Sequence, residues 1–384
     1  MKNMFKIAAG ALAALAVFTG GLTAAAQSEL ALSARSSCLM EYQTGEILFA
    51  ENETERLPIA SMCKIMSLLL VFEHMETGAL KADDVVTVSE DAAHMGGSQA
   101  FLEAGGQYPA GELLKSVIVA SANDSTVALA EEVAGSEEAF VAEMNRRAGE
   151  LGMENTNFTN CTGLPRPGQY SCARDVALMS RALFSHPGYF EYSRIWMDKI
   201  EHEGGRQTEL TNTNKLVRFY KDCDGGKTGY TSEAGHCISA TARRNEMRLI
   251  AVVIKEPDSQ TRFEDVKTMF GYGFANYTAK KLVSAEQPLE TPLSVVGGKE
   301  DAVSVIPAKD YFVFAKRGED GDYATEILLP DCVKAPLKQG EEVGKIRVLS
   351  GQKVVAEVPL LSAQEVLPRS FGDSLGDIAQ NWSL

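Results

Sequence analysis

Three short patterns in this chain bring together residue types that can make and break an acyl bond. Ser61 and Lys64 stand in the spacing S-x-x-K at the head of an apolar run, Ser61 to Met75 (SMCKIMSLLLVFEHM). Apolar nearly all round, the run predicts a helix buried inside a domain, and the i, i+3 spacing puts the serine and the lysine on one face. At a helix N-terminus, free N–H groups and the dipole favour negative charge, so they stabilise a developing oxyanion and resist protonation of a nearby amine. A partly desolvated lysine near another cation gives up its proton more readily and can then accept one from a serine hydroxyl.

The string alone says little, because Ser350-Gly351-Gln352-Lys353 is a second S-x-x-K. That copy falls in a Gly-containing hairpin turn with no helix dipole behind it, and reads as a solvated turn. Two further patterns separate the copies. Ser121-Ala122-Asn123 is the only S-x-N, at a break between helical runs where a hydroxyl and an amide can point into a cleft. Lys227-Thr228-Gly229 is the only K-T-G, on a strand whose glycine lets a substrate backbone approach the edge. A helix cap and a strand lysine would explain each by itself; the ordered set of three, each on the expected kind of element, is much harder to obtain by chance.

The elements that must hold these residues follow from pattern and punctuation. SCLMEYQTGEILFA (residues 37–50) predicts two short strands around Thr44-Gly45. The helix from Ser61 stops at Gly78. Residues 111–134 predict two helices interrupted at Ser121–Asp124, where side chains compete with the helix ladder; amphipathic helices follow at 137–151 and from Asp175 to Phe184. Gly225–Tyr230, His236–Arg243 and Arg248–Lys255 predict successive strands of an antiparallel sheet, and Phe263–Tyr277 a closing helix. After about Leu282, alternating runs such as YFVFA and KVVAEVPLL predict an all-β module, a small sandwich.

The chain resembles the low-molecular-mass penicillin-binding D-alanyl-D-alanine carboxypeptidases. The resemblance runs over roughly residues 30 to 280 and includes LPIASMCKIM, GGSQAFLEAGGQY, ELLKSVIVASANDSTVALAE, NCTGLP and DGGKTGYTSEAGHCISATA; the β module and tail look like that family's C-terminal part. It implies an α+β fold with a penicillin-binding/β-lactamase-like domain, an antiparallel sheet packed with helices, followed by a small all-β sandwich. It further implies Ser61 as nucleophile, Lys64 as base and Ser121 as proton carrier to the leaving amine. Asn123 would hold the substrate amide, Lys227 and Thr228 the terminal carboxylate, and the N–H groups of Ser61 and Tyr230, beside Gly229, the oxyanion. The substrates implied are peptidoglycan stem peptides, with β-lactams as acylating inhibitors and no cofactor or metal. A class A-like β-lactamase shares the three motifs, but such enzymes read S-D-N and carry an E-x-x-x-N glutamate with no counterpart between Asn123 and Lys227. A non-catalytic cell-wall-binding protein of the same fold would have no need of Ser61, Lys64, Ser121 and Lys227 intact.

Composition fits this reading. The chain has 384 residues, 45% hydrophobic and 23% charged, and predicts two ordered domains plus a targeting segment. Lys2 and Lys6, an apolar stretch from Ile7 to Phe18 and Ala24-Ala25-Ala26 have a signal-peptide layout cleaved before Gln27, hence an exported protein of the cell wall or the outer face of the cytoplasmic membrane. The expected boundaries are 1–26 signal peptide, 27–281 catalytic domain, 282–365 β-sandwich and 366–384 amphipathic tail. In that tail Phe371, Leu375, Ile378 and Trp382 form a stripe suited to peripheral membrane contact. A formal charge of −15 disfavours nucleic acid as a partner. Five histidines without an H-E-x-x-H disfavour a metallopeptidase; His74 reads as a core histidine and His236 takes no role. Seven cysteines leave at least one thiol unpaired; Cys161/Cys172 and Cys223/Cys237 are near enough in sequence to bridge, and Cys63 reads as a small buried residue.

Overall fold

A five-stranded antiparallel sheet carries the third motif on its edge. In the computed structural model, which describes residues 30–285, 287–319 and 321–372, strands β1 (Ser36–Glu41), β2 (Ile47–Glu51), β3 (Cys223–Thr231), β4 (Gly235–Arg244) and β5 (Met247–Glu256) lie in the order β2-β1-β5-β4-β3. The three consecutive strands are joined by tight turns and so pair as neighbours. β5 (MRLIAVVIKE) is buried at nine of its ten positions, as expected of a β-branched strand covered on both faces. The helix Ala173–Leu183 and the long helix that follows the sheet pack on it.

The helical half lies against this sheet. α1 (Lys64–Glu76) is buried at every position from Lys64 to Phe72, and Gly78 follows it in the left-handed region. α2 (Ala110–Ala120) and α3 (Asn123–Ala134) are separated by Ser121 and Ala122. The closing helix α4 (Ser259–Asn276) starts earlier than its apolar pattern suggests, because the Asp258 carboxylate accepts from the N–H groups of Gln260 and Thr261 at 2.8 and 2.9 Å. The hairpin Met197–Glu201/Gln207–Thr211 was not visible in the sequence. Its strands are mostly exposed and charged, which removes the alternation that marks a half-buried strand.

From Tyr277 onward the described elements are strands. Val305–Pro307, Lys353–Ser362, Glu342–Ser350 and Tyr323–Leu328 form one sheet, and Ala302–Val303, Leu293–Val296 and Cys332–Lys334 another, around a core that includes Val303, Val305, Val348, Val358 and Leu360. The strand Tyr277–Val283, which spans the boundary expected at 281/282, pairs with Tyr311–Lys316. Ser350 and Lys353 face each other across a turn with Gly351 at φ 57°, so the second S-x-x-K is a hairpin turn. Of the tail stripe, Phe371 is 81% exposed, while Leu375, Ile378 and Trp382 lie outside the described residues, as does the signal peptide expected at 1–26. Among the described residues no helix is long and apolar enough to cross a membrane.

The candidate bridges do not form. All seven cysteines are free thiols, and hydrogen bonds aim several of them elsewhere: Cys161 Sγ donates to Glu137 at 3.2 Å, Cys223 Sγ to the Gly225 carbonyl at 3.5 Å and Cys237 Sγ to the Ala234 carbonyl at 3.4 Å. Nearness in sequence did not bring the sulfurs into bonding geometry. Cys63 is fully buried, and burial pushes its thiol up to about 12, so it is no rival nucleophile.

Candidate active site

Ser61 does not sit in the α-helix proper. Ala60–Cys63 is a 3₁₀ turn and α1 begins at Lys64. This tightens the expected geometry, because i and i+3 side chains eclipse on a 3₁₀ turn. Lys64 Nζ lies 3.1 Å from Ser61 Oγ and donates to the Thr162 carbonyl at 2.6 Å. Ala60 adopts φ 47°, an uncommon conformation for a residue with a Cβ, and the NCTGLP segment braces it. Gly163 is so close that a Cβ there would meet the Ala60 carbonyl oxygen at 2.0 Å. The Asn160 side-chain oxygen accepts from Gly163 N at 2.7 Å and Thr162 N at 3.2 Å, which fixes the peptide whose carbonyl holds Lys64.

The other two motifs converge on this turn. Ser121 is the left-handed cap of α2 at φ 65°, which turns its hydroxyl to within 2.8 Å of Lys227 Nζ. Asn123 donates through its backbone N to Ser98 O at 2.7 Å and through Nδ2 to Gly96 O at 2.6 Å. Its Oδ1 is buried with no hydrogen-bond partner, an acceptor left for something else to fill. Next to it, the buried Asp124 carboxylate accepts from Ala100 N at 3.0 Å and Leu102 N at 3.1 Å, which ties the GGSQAFLE loop to α3. On β3, Thr228 Oγ1 donates to Thr213 Oγ1 at 2.8 Å. Gly229 passes so near the 3₁₀ turn that a Cβ would stand 2.6 Å from the Ile59 carbonyl and 3.2 Å from Met62 N. Only glycine allows the strand edge this close to the serine turn. Tyr230, the next residue, is 60% exposed and stacks on His236 with ring centroids 4.4 Å apart.

The chain has relatives among known proteins. Residues 23–258 match the family described as D-alanyl-D-alanine carboxypeptidase, and residues 277–367 match the penicillin-binding protein 5 C-terminal domain. The chain belongs to the D-alanyl-D-alanine carboxypeptidase family. It is similar to the D-alanyl-D-alanine carboxypeptidase DacF of Bacillus subtilis, 38% identical over 93% of this chain and 92% of the relative. It is also similar to DacC of Escherichia coli, 34% identical over 88% and 86%. Among solved structures, penicillin-binding protein 5 of Haemophilus influenzae shares 30% identity over 88% of this chain and 99% of the other, with a TM-score of 0.68. Penicillin-binding protein 6B of Escherichia coli gives 29%, 87%, 96% and 0.67.

The electrostatics of this carboxypeptidase suit proton transfer. Lys64 is fully buried, and desolvation brings its ammonium down to about 8. Lys227, also buried, is held well below the ordinary lysine range by desolvation, then by the charges of Lys64 and Arg262. Neither lysine has a carboxylate partner among the ion pairs of the described residues. If Lys64 accepts the Ser61 proton, it must do so as the neutral amine, and acylation by a β-lactam is then expected to accelerate as pH rises and to level off above about 8. Stopped-flow acylation rates from pH 6 to 10 check this, and a rate that falls across that range would contradict it.

Sequence reasoning missed several residues that the fold brings to the site of the carboxypeptidase. Thr162 contributes only a carbonyl, which leaves no mark in residue type. Asn160 and Gly163 lie in a segment that resemblance singled out without giving it a role. Arg262 lies just ahead of the closing helix expected from Phe263 and was given no reading; it is buried and donates to the Gly229 and Cys237 carbonyls at 3.3 and 3.2 Å, so it buttresses β3 from behind.

Proposed function

We propose the following division of labour for this serine-type D-alanyl-D-alanine carboxypeptidase, which acts on peptidoglycan stem peptides, binds penicillin and works outside the cytoplasm. Ser61 Oγ attacks the carbonyl of the penultimate D-alanine while its proton passes to Lys64 Nζ, and the N–H groups of Ser61 and Tyr230 receive the oxyanion. The C–N bond breaks, the leaving D-alanine amine takes a proton delivered through Ser121, and water then hydrolyses the acyl-serine. Asn123 Oδ1 accepts from the substrate amide. Lys227 and Thr228 bind the terminal carboxylate at the strand edge that Gly229 leaves open.

One observation carries this reading: Lys64 lies 3.1 Å from Ser61 Oγ while Lys227 lies 2.8 Å from Ser121 Oγ, so each hydroxyl has an amine of lowered proton affinity beside it. We further infer export by a signal segment cut before Gln27 and residence in the wall or at the outer face of the cytoplasmic membrane. The catalytic part is taken as 27–281 and the β module as 282–365. Product analysis on a pentapeptide tests the reaction: free D-alanine and a tetrapeptide are expected in equal amounts. Pentapeptide left uncut, or cut at another bond without release of D-alanine, would overturn it.

A further inference from the structure

A patch of exposed aromatic rings begins two hydrogen bonds away from the catalytic strand. Thr228 Oγ1 donates to Thr213 Oγ1 at 2.8 Å, and the residue before that threonine, Asn212, donates through its backbone N to the Trp196 carbonyl at 2.9 Å. The Trp196 indole meets the Phe219 ring edge-on, with centroids 5.8 Å apart. The Arg218 guanidinium lies over both rings, 5.4 Å from the first centroid and 5.8 Å from the second. Phe219 is 65% exposed, and Met197, next to the indole in sequence, is 57% exposed.

Large apolar side chains gathered in water mark an interaction surface, and these are held there rigidly. Asn212 Nδ2 donates to the Ser193 and Ile195 carbonyls at 3.1 and 2.8 Å, which fixes the approach to Trp196. Asn214 braces the short helix Leu216–Phe219: its Oδ1 accepts from Leu216 N at 3.1 Å, and its Nδ2 donates to the Gly225 carbonyl on β3 at 3.1 Å. Leu216 takes the buried position of that turn and leaves Phe219 outward. Phe219 also forms a wall of a groove of about 370 Å³, together with Lys215 and Phe263 among others. Lys215 and Arg218 have no carboxylate partner and no side-chain hydrogen bond among the described residues. In a chain of formal charge −15, two unspent cations beside flat aromatic faces suit a ligand that offers apolar C–H surface and carboxylates together.

We propose that the Trp196–Phe219 patch docks a neighbouring carbohydrate strand of the polymer whose stem peptides the enzyme trims. Sugar rings lie against the aromatic faces, and Lys215 and Arg218 meet carboxylates that the strand carries. Since Lys227 and Thr228 take the carboxylate end of the bound stem peptide, the patch adjoins the place where that peptide stops, and a second strand is what reaches it. The patch therefore leaves the handling of a free pentapeptide alone and strengthens the enzyme's hold on the assembled polymer. The inference rests on the carboxypeptidase reading and adds a second point of substrate contact.

The test uses the full chain with excess benzylpenicillin, so that the cleft stays occupied. Co-sedimentation is measured with insoluble peptidoglycan and with the same polymer stripped of stem peptides by an amidase, a cut that leaves a carboxylate on each substituted sugar. The wild-type protein is expected to sediment with both. Phe219→Ser and Arg218→Ser are each expected to weaken that binding by about tenfold, the scale of one lost interface anchor. Without penicillin, both variants should show a raised KM for D-alanine release from the polymer and a wild-type kcat/KM on a soluble pentapeptide. Absence of wild-type binding with the cleft blocked would overturn the proposal. So would binding that stripping abolishes, which would assign the contact to peptide, or variants that bind as the wild type does, which would leave the patch to a protein partner. Equal losses on the polymer and the soluble pentapeptide would overturn it as well. None of these results would touch the carboxypeptidase reading, which release of D-alanine from the soluble pentapeptide by the wild-type enzyme tests separately.

Discussion

Ser61→Ala is expected to abolish both the covalent penicillin adduct and the release of D-alanine while the fold survives. The side chain is small and partly exposed in a 3₁₀ turn, so removal of its hydroxyl leaves no cavity of consequence. The chemistry has no understudy. Cys63 is buried with its thiol pushed up to about 12, and Ser121 is held at the other lysine. Intact-protein mass spectrometry after incubation with a penicillin checks the adduct, and circular dichroism checks the fold. A mass increase equal to one penicillin on the alanine variant would remove Ser61 from its role.

The second large effect belongs to Lys64→Ala. Loss of a positioned general base costs roughly 10²–10⁴-fold, and it should fall on the acylation step, since the serine loses the only amine at 3.1 Å. The variant is expected to label with penicillin slowly, yet to stoichiometric completion, and the rise in rate with pH that marks the wild type should vanish. Lys227→Ala provides the contrast. If this lysine binds the terminal carboxylate, its loss should harm peptides with a free carboxylate far more than amidated ones. A Lys64 variant acylated at the wild-type rate would move the base elsewhere.

The sequence made much of this legible, for physical reasons. α1 announced itself because it is apolar all round, and β3, β4 and β5 because tight connections and β-branched residues admit few other arrangements. The spacing of Ser61 and Lys64 anticipated their shared face, whereas the approach of Lys227 to Ser121 was not anticipated, because the resemblance assigns Lys227 only to the substrate carboxylate. What was not legible depends on backbone. The positive φ of Ala60 and Ser121 orients two serines, but neither residue type advertises it, whereas a glycine would have. The carbonyl of Thr162 could have belonged to any residue, and the proximity of Gly163 to Ala60 is a property of two segments about a hundred positions apart. Cysteine spacing misled because bridging depends on the direction of Cβ, which spacing does not encode.

The same two lysines set the fold against the function. Lys64 and Lys227 are 0% and 2% exposed and surrounded by hydroxyls, carbonyls and thiols in place of counter-ions. An unfolded chain keeps such an ammonium up to 10.5, the folded one gives up the Lys64 proton at about 8. Below about 8 the native state therefore bears the whole cost of a charge it cannot solvate, and the cost fades as pH climbs toward 10.5. Methionine at either position would fill similar space without the charge, so Lys64→Met and Lys227→Met should melt at higher temperature than the active enzyme near neutral pH, an advantage that shrinks in alkali. Selection for heat tolerance alone would thus erase the motifs, and their persistence in a chain is a record of turnover.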